Sequence, residues 1–347
     1  MSNPIIIAGP CAAESREQLF GTAQQIADIF SEKGISLTYF RAGIWKPRSN
    51  PDDFSGAGRQ ALSWLREIER DFHFAPCVEI ARPEHAAACA EEGITNFWIG
   101  SRTTVNPFLV QEIADAISGL PCTVMVKNPI NPDLNLWAGG IERFLKNGNS
   151  KVLAIHRGFS QNSESIYRNA PIWQIPIELK LRFPEIPLIC DPSHITGDPS
   201  LIASVSQIAL DFGFDGLMIE THINPAAALS DSKQQITPAM LAEIISSLIF
   251  KSQTTSPTEE ALRKQRTILY NIDSQIAELL VKRMQIIDNI AVIKKDNNLP
   301  FVQPQQWGKV VENYKSKALD DQQYKIFLDK FLELLHQQSI ERQSKKQ

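Results

Sequence analysis

Over roughly its first 250 residues the chain alternates short apolar runs, rich in Ile, Val and Leu, with longer stretches whose apolar residues recur at helical spacing. That alternation constrains the fold more than any single motif does. Strands joined by whole helices must run parallel, and a parallel sheet has to be covered on both faces. Strands are expected at Ile5–Ala8, Leu37–Arg41, Ala75–Ile80, Asn96–Gly100, Thr123–Lys127, Val152–His156, Leu188–Cys190 and Gly216–Glu220. Helices are expected at Gln18–Glu32, Gln60–Phe72, Glu84–Glu92, Leu109–Ser118, Leu136–Lys146, Pro199–Phe212 and Pro238–Phe250. Eight such units in about 250 residues suit a closed (β/α)8 TIM barrel. An open doubly wound sheet is the alternative, but no Gly-x-Gly-x-x-Gly follows any of these strands.

The pattern stops in the polar run Lys251–Pro257, which divides the chain into a barrel at 1–252, a linker at 253–257 and a tail at 258–347. In the tail Leu262, Leu269, Ile272, Ile276, Leu279, Leu280, Met284, Ile287, Ile290 and Ile293 recur at helical spacing, with no Gly or Pro before Pro300. One helix of more than thirty residues follows, with two shorter ones at Gln305–Ala318 and Asp321–Gln343. Nothing else in the chain matches the long helix in length, so the all-helical tail is expected to form a homodimer that covers its apolar face.

Composition removes several function classes. A formal charge of −4 argues against nucleic acid or an acidic membrane surface as the main partner. Five cysteines, odd in number and without Cys-x-x-Cys spacing, argue against a disulfide framework and for a reducing cytoplasmic setting. No segment is long and apolar enough for a membrane span.

Three cations, Arg41, Lys46 and Arg48, fall within eight residues, just past a strand and in a loop stiffened by Pro47 and Pro51. Such a cluster suits a dianion, because guanidinium forks match phosphate and carboxylate oxygens. Ligands of a (β/α)8 barrel sit at the carboxyl ends of its strands. Those ends also carry Arg102, Lys127 and Arg157, together with Cys11, His194, Glu220 and, shortly after, Asp231. One thiol, one imidazole and two carboxylates suit a divalent transition ion of borderline softness. Singly, each residue has a plain structural explanation: a buried small cysteine, a turn-capping histidine, a paired glutamate. Their joint placement at nearly every strand end weakens those explanations. Cys77, Cys89, Cys122 and Cys190 read as buried apolar residues, and His73, His85 and His336 as structural or surface residues.

Together Ile7-Ala-Gly-Pro-Cys11, the Arg41–Ser49 segment with its Lys-Pro-Arg, Ile99-Gly-Ser-Arg-Thr-Thr104, Lys127-Asn-Pro129, Arg157-Gly158, Asp191-Pro-Ser-His194 and Glu220-Thr-His222 resemble 3-deoxy-D-arabino-heptulosonate 7-phosphate (DAHP) synthase. The resemblance runs in order from residue 1 to about 250. It implies a metal-dependent condensation of phosphoenolpyruvate with erythrose 4-phosphate, the entry step of the shikimate pathway to aromatic amino acids. By position Cys11, His194, Glu220 and Asp231 correspond to ligands of one divalent ion of Mn, Fe, Co or Zn type. Arg41, Lys46, Arg102, Lys127 and Arg157 correspond to the phosphoenolpyruvate cradle, with Lys46 catalytic. Arg48 and Ser49 correspond to the sugar phosphate grip, and His222 joins the substrate contacts. A sister family, 3-deoxy-D-manno-octulosonate 8-phosphate synthase, shares the barrel, but Lys46-Pro-Arg-Ser49 fits the four-carbon sugar better.

In the long helix Arg283 and Lys294 are eleven residues apart, three turns and so one face, spaced about 16 Å along the axis. A solvated stripe is the plain reading of such cations. Residues 258–347, with Arg266, Ile272-Asp273, Lys282-Arg-Met284, Lys294-Lys295, Leu299-Pro300, Ser339 and Gln343, resemble the all-helical chorismate mutase family. That resemblance implies rearrangement of chorismate to prephenate without a cofactor. Arg266 of the other chain and Arg283 would bind carboxylates, and Lys294 with Gln343 would face the breaking ether bond. Gln303 would meet a hydroxyl, and Ser339 would line the pocket. Two readings stand for the tail: a working mutase, making the enzyme bifunctional, or a degenerate one kept as a dimerising, feedback-sensing and so allosteric module.

Overall fold

The computed structural model describes residues 4–46, 52–148, 151–160, 165–250, 256–300, 302–317 and 320–345. The chain clusters into two compact units, Met1–Ser252 and Gln253–Gln347.

The first unit is a closed barrel of eight parallel strands in sequence order. They are β1 (Ile5–Gly9), β2 (Tyr39–Ala42), β3 (Pro76–Ile80), β4 (Asn96–Ile99), β5 (Thr123–Lys127), β6 (Lys151–His156), β7 (Leu188–Cys190) and β8 (Gly216–Glu220). Closure comes from β1 lying against β8 in the register Ile5↔Gly216 to Gly9↔Glu220. Helices return the chain between strands: α1 (Arg16–Lys33), α2 (Gln60–Phe72), α3 (Pro83–Glu91), α4 (Ser101–Thr104), α5 (Pro107–Ala116), α6 (Leu134–Lys146), α7 (Gln174–Arg182), α8 (Pro192–Thr196), α9 (Ile202–Asp211) and α10 (Pro238–Ser247).

Local chemistry sets the helix ends. Ser15 caps α1 by accepting from Gln18 N, and Gly34 closes it in the left-handed conformation, which costs glycine little. Helix α7 was not legible in the sequence because Pro171, Pro176 and Pro184 interrupt the periodicity; Pro176 sits in its first turn, where the missing N–H is tolerated. The helix expected over Pro199–Phe212 begins instead as a single 3-10 turn before α9.

Side chains alternate across each strand, so the barrel has two apolar layers. Outward-facing residues pack against the helices in one large core. Inward-facing Ile7, Tyr39, Cys77, Trp98, Met125, Leu153, Ile155, Ile189 and Met218 fill the barrel itself. Two residues beyond this plug, on the same face of each strand, come Gly9, Arg41, Glu79, Gly100, Lys127, Arg157, Asp191 and Glu220. The period of two therefore turns an apolar plug into a polar floor at the carboxyl end of the barrel. Gly9 is required there: its φ is +141°, and a Cβ would lie 2.2 Å from the Arg41 carbonyl oxygen.

The second unit is helical throughout: α11 (Ser256–Asp296, 41 residues), α12 (Pro304–Lys315) and α13 (Gln322–Ser344). Helix α11 starts inside the stretch expected as linker, with Pro257 in its first turn, where proline is well accommodated. Leu328, Leu332, Leu335 and Ala291 are buried between helices of this unit. Leu269, Ile272, Ile276, Leu279, Val281, Ile286 and Ile293 on α11 are each 47% exposed or more. No helix among the described residues is long and apolar enough to cross a membrane.

Candidate active site

A cavity of about 430 Å³ opens at the carboxyl end of the barrel, lined by Lys46, Asp53, Glu79, Ser101, Arg102, Lys127, Ile130, Arg157, Arg168, Asn169, His194 and Asp231. Five of these side chains are cations. Arg41 lies beneath, wholly buried, its guanidinium 4.9 Å from the Trp98 ring centroid. Its Nη2 donates to Glu220 Oε1 at 3.0 Å, while its Nε and Nη1 have no hydrogen-bond partner among the described residues. A buried guanidinium with two unmatched donors is costly unless an anion meets it, and the cavity is where such an anion would sit.

The remaining cations are held in the same manner. Lys127 Nζ donates to Asp191 Oδ2 at 2.7 Å. Lys46 Nζ stands 3.6 Å from Glu79 Oε2. Gly100 makes room for that glutamate, since a Cβ there would fall 2.1 Å from Glu79 Oε1. Arg157 is fixed at its backbone N–H by Asn128 Oδ1 (2.7 Å) and at Nη1 by Asn169 Oδ1 (2.8 Å). Burial draws the Arg157 pKa down to about 10, still well above neutrality. Burial likewise lowers Lys127 against the pull of Asp191. Lys46 moves the other way: burial opposes its charge, but Cys11 in its thiolate form and the Glu79 and Glu220 carboxylates raise its pKa, so its ammonium stays protonated at pH 7.

Beside the cations lies a donor set drawn from both ends of the barrel sequence. Cys11 Sγ donates to Asp231 Oδ2 at 3.3 Å, and donor atoms of Cys11, Glu220 and Asp231 all lie within 4.8 Å of one another. His194 stands next to them, its Nε2 3.7 Å from Glu220 Oε1. Its Nδ1 is 2.8 Å from Asp191 Oδ2, which keeps a proton on Nδ1 and turns Nε2 to the carboxylates: protonated, Nε2 offsets their charge, and neutral, its lone pair is open to a cation. Asp191 also caps α8 by accepting from the His194 backbone N–H, so the aspartate orients the histidine and the histidine does not cap the turn. Asp231 sits at φ +46°, a left-handed conformation that aspartate tolerates better than most residues.

The electrostatics match a cation-binding pocket. Burial opposes ionisation of Glu220, yet His194 and Arg41 hold its pKa below the ordinary glutamate value. Asp231 is held well below the carboxylate range against its burial, through His194 and then Arg168. Cys11, buried beside these acids, is pushed up to about 12 and is a neutral thiol by itself. A divalent cation among the four donors reverses that, because a coordinated thiol loses its proton. The donor chemistry therefore fits a divalent transition ion.

Of the residues singled out from sequence, Cys11, Glu220, Asp231, His194, Arg41, Lys46, Arg102, Lys127 and Arg157 converge here. Arg48 and Ser49 lie outside the described residues. His222 does not line the cavity; its Nδ1 accepts from Asn224 N at 2.9 Å and its Nε2 is 3.5 Å from Glu14. Sequence reading passed over Glu79, Arg168, Asn169 and Asp191 as site residues. Glu79 carried a usable signal, a lone acid two residues after Cys77 on one face of a buried strand. Arg168 and Asn169 follow an irregular stretch with no periodicity to give them away. Arg168 Nη1 nevertheless reaches Asp231 Oδ1 at 3.0 Å.

In the helical unit Arg283 Nη1 donates to Ser339 Oγ at 2.8 Å, and Gln343 Nε2 donates to the Ser339 carbonyl at 3.1 Å. Lys294, Ser339 and Gln343 are buried, and Gln343 Oε1 has no partner among the described residues. Arg266 and Gln303 are exposed. Trp307 stacks on His336 with ring centroids 4.2 Å apart.

A closed (β/α)8 barrel whose rim joins a thiol, an imidazole and carboxylates to a cationic cavity has the build of a barrel enzyme with its site at the carboxyl ends of the strands. A separate helical unit brings the buried Lys294, Ser339 and Gln343 together with the half-buried Arg283. The chain belongs to the DAHP synthetase I family, whose family model matches residues 2–255, and residues 265–344 match chorismate mutase type II. It therefore carries two enzyme domains, a DAHP synthase and a chorismate mutase, and is a bifunctional enzyme of the shikimate pathway. Among its relatives is the phospho-2-dehydro-3-deoxyheptonate aldolase of Thermotoga maritima, 29% identical over 240 residues, which span 69% of this chain and 67% of that protein. The 2-dehydro-3-deoxyphosphooctonate aldolase of Helicobacter pylori is 24% identical over 277 residues, 71% of this chain and 94% of that protein. The crystal structure of the Thermotoga enzyme superposes with a TM-score of 0.60 at 27% identity, covering 70% of this chain and 67% of that one.

Proposed function

We propose that the barrel condenses phosphoenolpyruvate with erythrose 4-phosphate, using one divalent ion held by Cys11, His194, Glu220 and Asp231. The observation that carries this reading is the meeting of Cys11, Glu220 and Asp231 donors beside His194, at the edge of a cavity ringed by Lys46, Arg102, Lys127 and Arg157. When bound, the ion supplies Lewis-acid polarisation of the aldehyde oxygen. The protein's own groups supply the rest. Arg41, from below, and Lys127, Arg157 and Arg102, from the walls, neutralise the carboxylate and phosphate of phosphoenolpyruvate and hold its C3 toward the aldehyde carbon. As the C–C bond forms, the Lys46 ammonium can give a proton to the sugar oxygen that gains charge. Water adds at C2, the C2–O bond breaks and inorganic phosphate leaves, its charge met by the same guanidinium groups.

The deciding experiment is phosphate release with erythrose 4-phosphate and, in parallel, arabinose 5-phosphate, alongside metal analysis of the purified protein. Preference for the five-carbon sugar would move the chain to the octulosonate reaction named for the Helicobacter relative.

For the tail, the buried Lys294, Ser339 and Gln343 together with the half-buried Arg283 support conversion of chorismate to prephenate, and the exposed apolar side of α11 supports a homodimer in which Arg266 enters the partner's site. Chorismate consumption by the intact enzyme tests the activity, and sedimentation tests the dimer. Feedback on the barrel by prephenate or chorismate is part of this reading; it requires that the ligand bind two arrangements of the enzyme with different affinity. Unchanged phosphate release in the presence of prephenate would remove it.

A further inference from the structure

Lys127 ends β5 and Arg157 directly follows β6, but Lys46 lies four residues beyond the end of β2, past the sheet ladder. The residue before it, Trp45, lies flat against the imidazole of His85, with centroids 4.1 Å apart and planes 11° from parallel. His85 sits in the first turn of α3, and its Nδ1 accepts from Ala81 N at 3.3 Å. That bond anchors the ring to the β3–α3 turn and puts the proton on Nε2. Burial, and then the charge of Arg82, hold the His85 pKa below the ordinary histidine value, in keeping with the neutral tautomer.

Backbone bonds pin the opposite side of the same stretch. Ile44 O accepts from Gly58 N at 2.9 Å, and Lys46 N donates to Ser55 O at 2.8 Å. Strand β3 and the turn after it thus meet this stretch twice: Glu79 faces the Lys46 ammonium, and His85 clamps the indole next to it. A flat stack restrains tilt and slide of both rings, which a loose aliphatic contact does not.

We propose that His85 is a positioning residue for the synthase reaction, setting Lys46 through its stack on Trp45. This rests on the reading of Lys46 as the ammonium that meets the substrates. Displacement of a reacting group by about 1 Å can cost on the order of 10²-fold in rate. The loss should therefore fall on kcat, while the phosphoenolpyruvate KM, set by several other cations, changes little.

The test uses the full chain and phosphate release. His85→Ala is expected to lower kcat by roughly 10- to 100-fold with the phosphoenolpyruvate KM within about threefold of the parent. His85→Phe keeps a flat ring and should recover kcat to within about threefold, although it loses the Ala81 bond. Trp45→Leu removes the stack from the other side and should match His85→Ala, which keeps the proposal testable if either variant folds poorly. Equal impairment of His85→Ala and His85→Phe, or full kcat in His85→Ala, would overturn the proposal. Lys46→Met separates the two layers: if it stays active, the role of Lys46 itself is wrong, whereas its inactivity beside a fully active His85→Ala sinks only the role of His85.

Discussion

His156 offers a quantitative check on how the barrel is packed behind its site. The side chain is fully buried among Trp137, Phe159, Trp173 and Phe214, and neither ring nitrogen makes a hydrogen bond of ordinary geometry among the described residues. Burial brings its pKa down to about 3, with the Pro171 carbonyl, short of a full hydrogen bond, acting the other way. In the unfolded chain the same group titrates near 6.5. Between those values the unfolded state binds a proton that the folded state refuses, so stability must fall as pH drops through about 6.5 and keep falling toward about 3. Each pH unit in that window costs up to about 1.4 kcal/mol, so moving from about pH 7.5 to about pH 5 removes about 2 kcal/mol through this one residue. For a domain of this size that is a drop of about 4–8 °C in Tm. His156→Phe cannot titrate, and its advantage over the parent should therefore widen by that amount between the two pH values. Tryptophan fluorescence is the assay, because Trp307 alone of the six tryptophans lies in the tail. Parent and variant melting temperatures that move in parallel with pH would refute the reasoning, whatever their absolute gap.

Further outcomes follow from the site. Asp191→Asn leaves Lys127 and His194 without their buried anion and should cost about 3–5 kcal/mol, read as a fall in barrel Tm; adding Lys127→Met should recover part of it, and strict additivity of the two would contradict the pairing. Because the Asp191 pKa is held well below the ordinary aspartate value, by His194 and Lys127 against its burial, that stabilisation is present above the unfolded pKa and is lost as pH falls toward the folded one. Adding Mn²⁺ or Co²⁺ at about 100 times its Kd should stabilise the barrel by about 2.7 kcal/mol, and Cys11→Ser should weaken metal retention on dialysis; equal metal content in parent and variant would remove Cys11 from the ligand set. Arg283→Ala should slow chorismate loss by about 10²–10³-fold while phosphate release by the barrel is unchanged; equal chorismate turnover would exclude Arg283 from the tail site.

The strand alternation, the polar break near 252 and the long apolar periodicity after it were readable without coordinates, because each is a local pattern imposed by the period of a strand or a helix. The same period placed Arg41, Lys127 and Glu220 at strand ends, two residues past the apolar plug. Tertiary structure decided which of those ends meet. Cys11 and Asp231 are 220 residues apart in sequence and 3.3 Å apart in space, because β1 closes against β8. Closure is a property of eight strands together, and no window of the sequence contains it. For the same reason the partners of Asp191, the approach of Arg168 to Asp231 and the Trp45–His85 stack stayed hidden: each joins side chains whose separation is fixed by packing between elements and not by spacing along the chain.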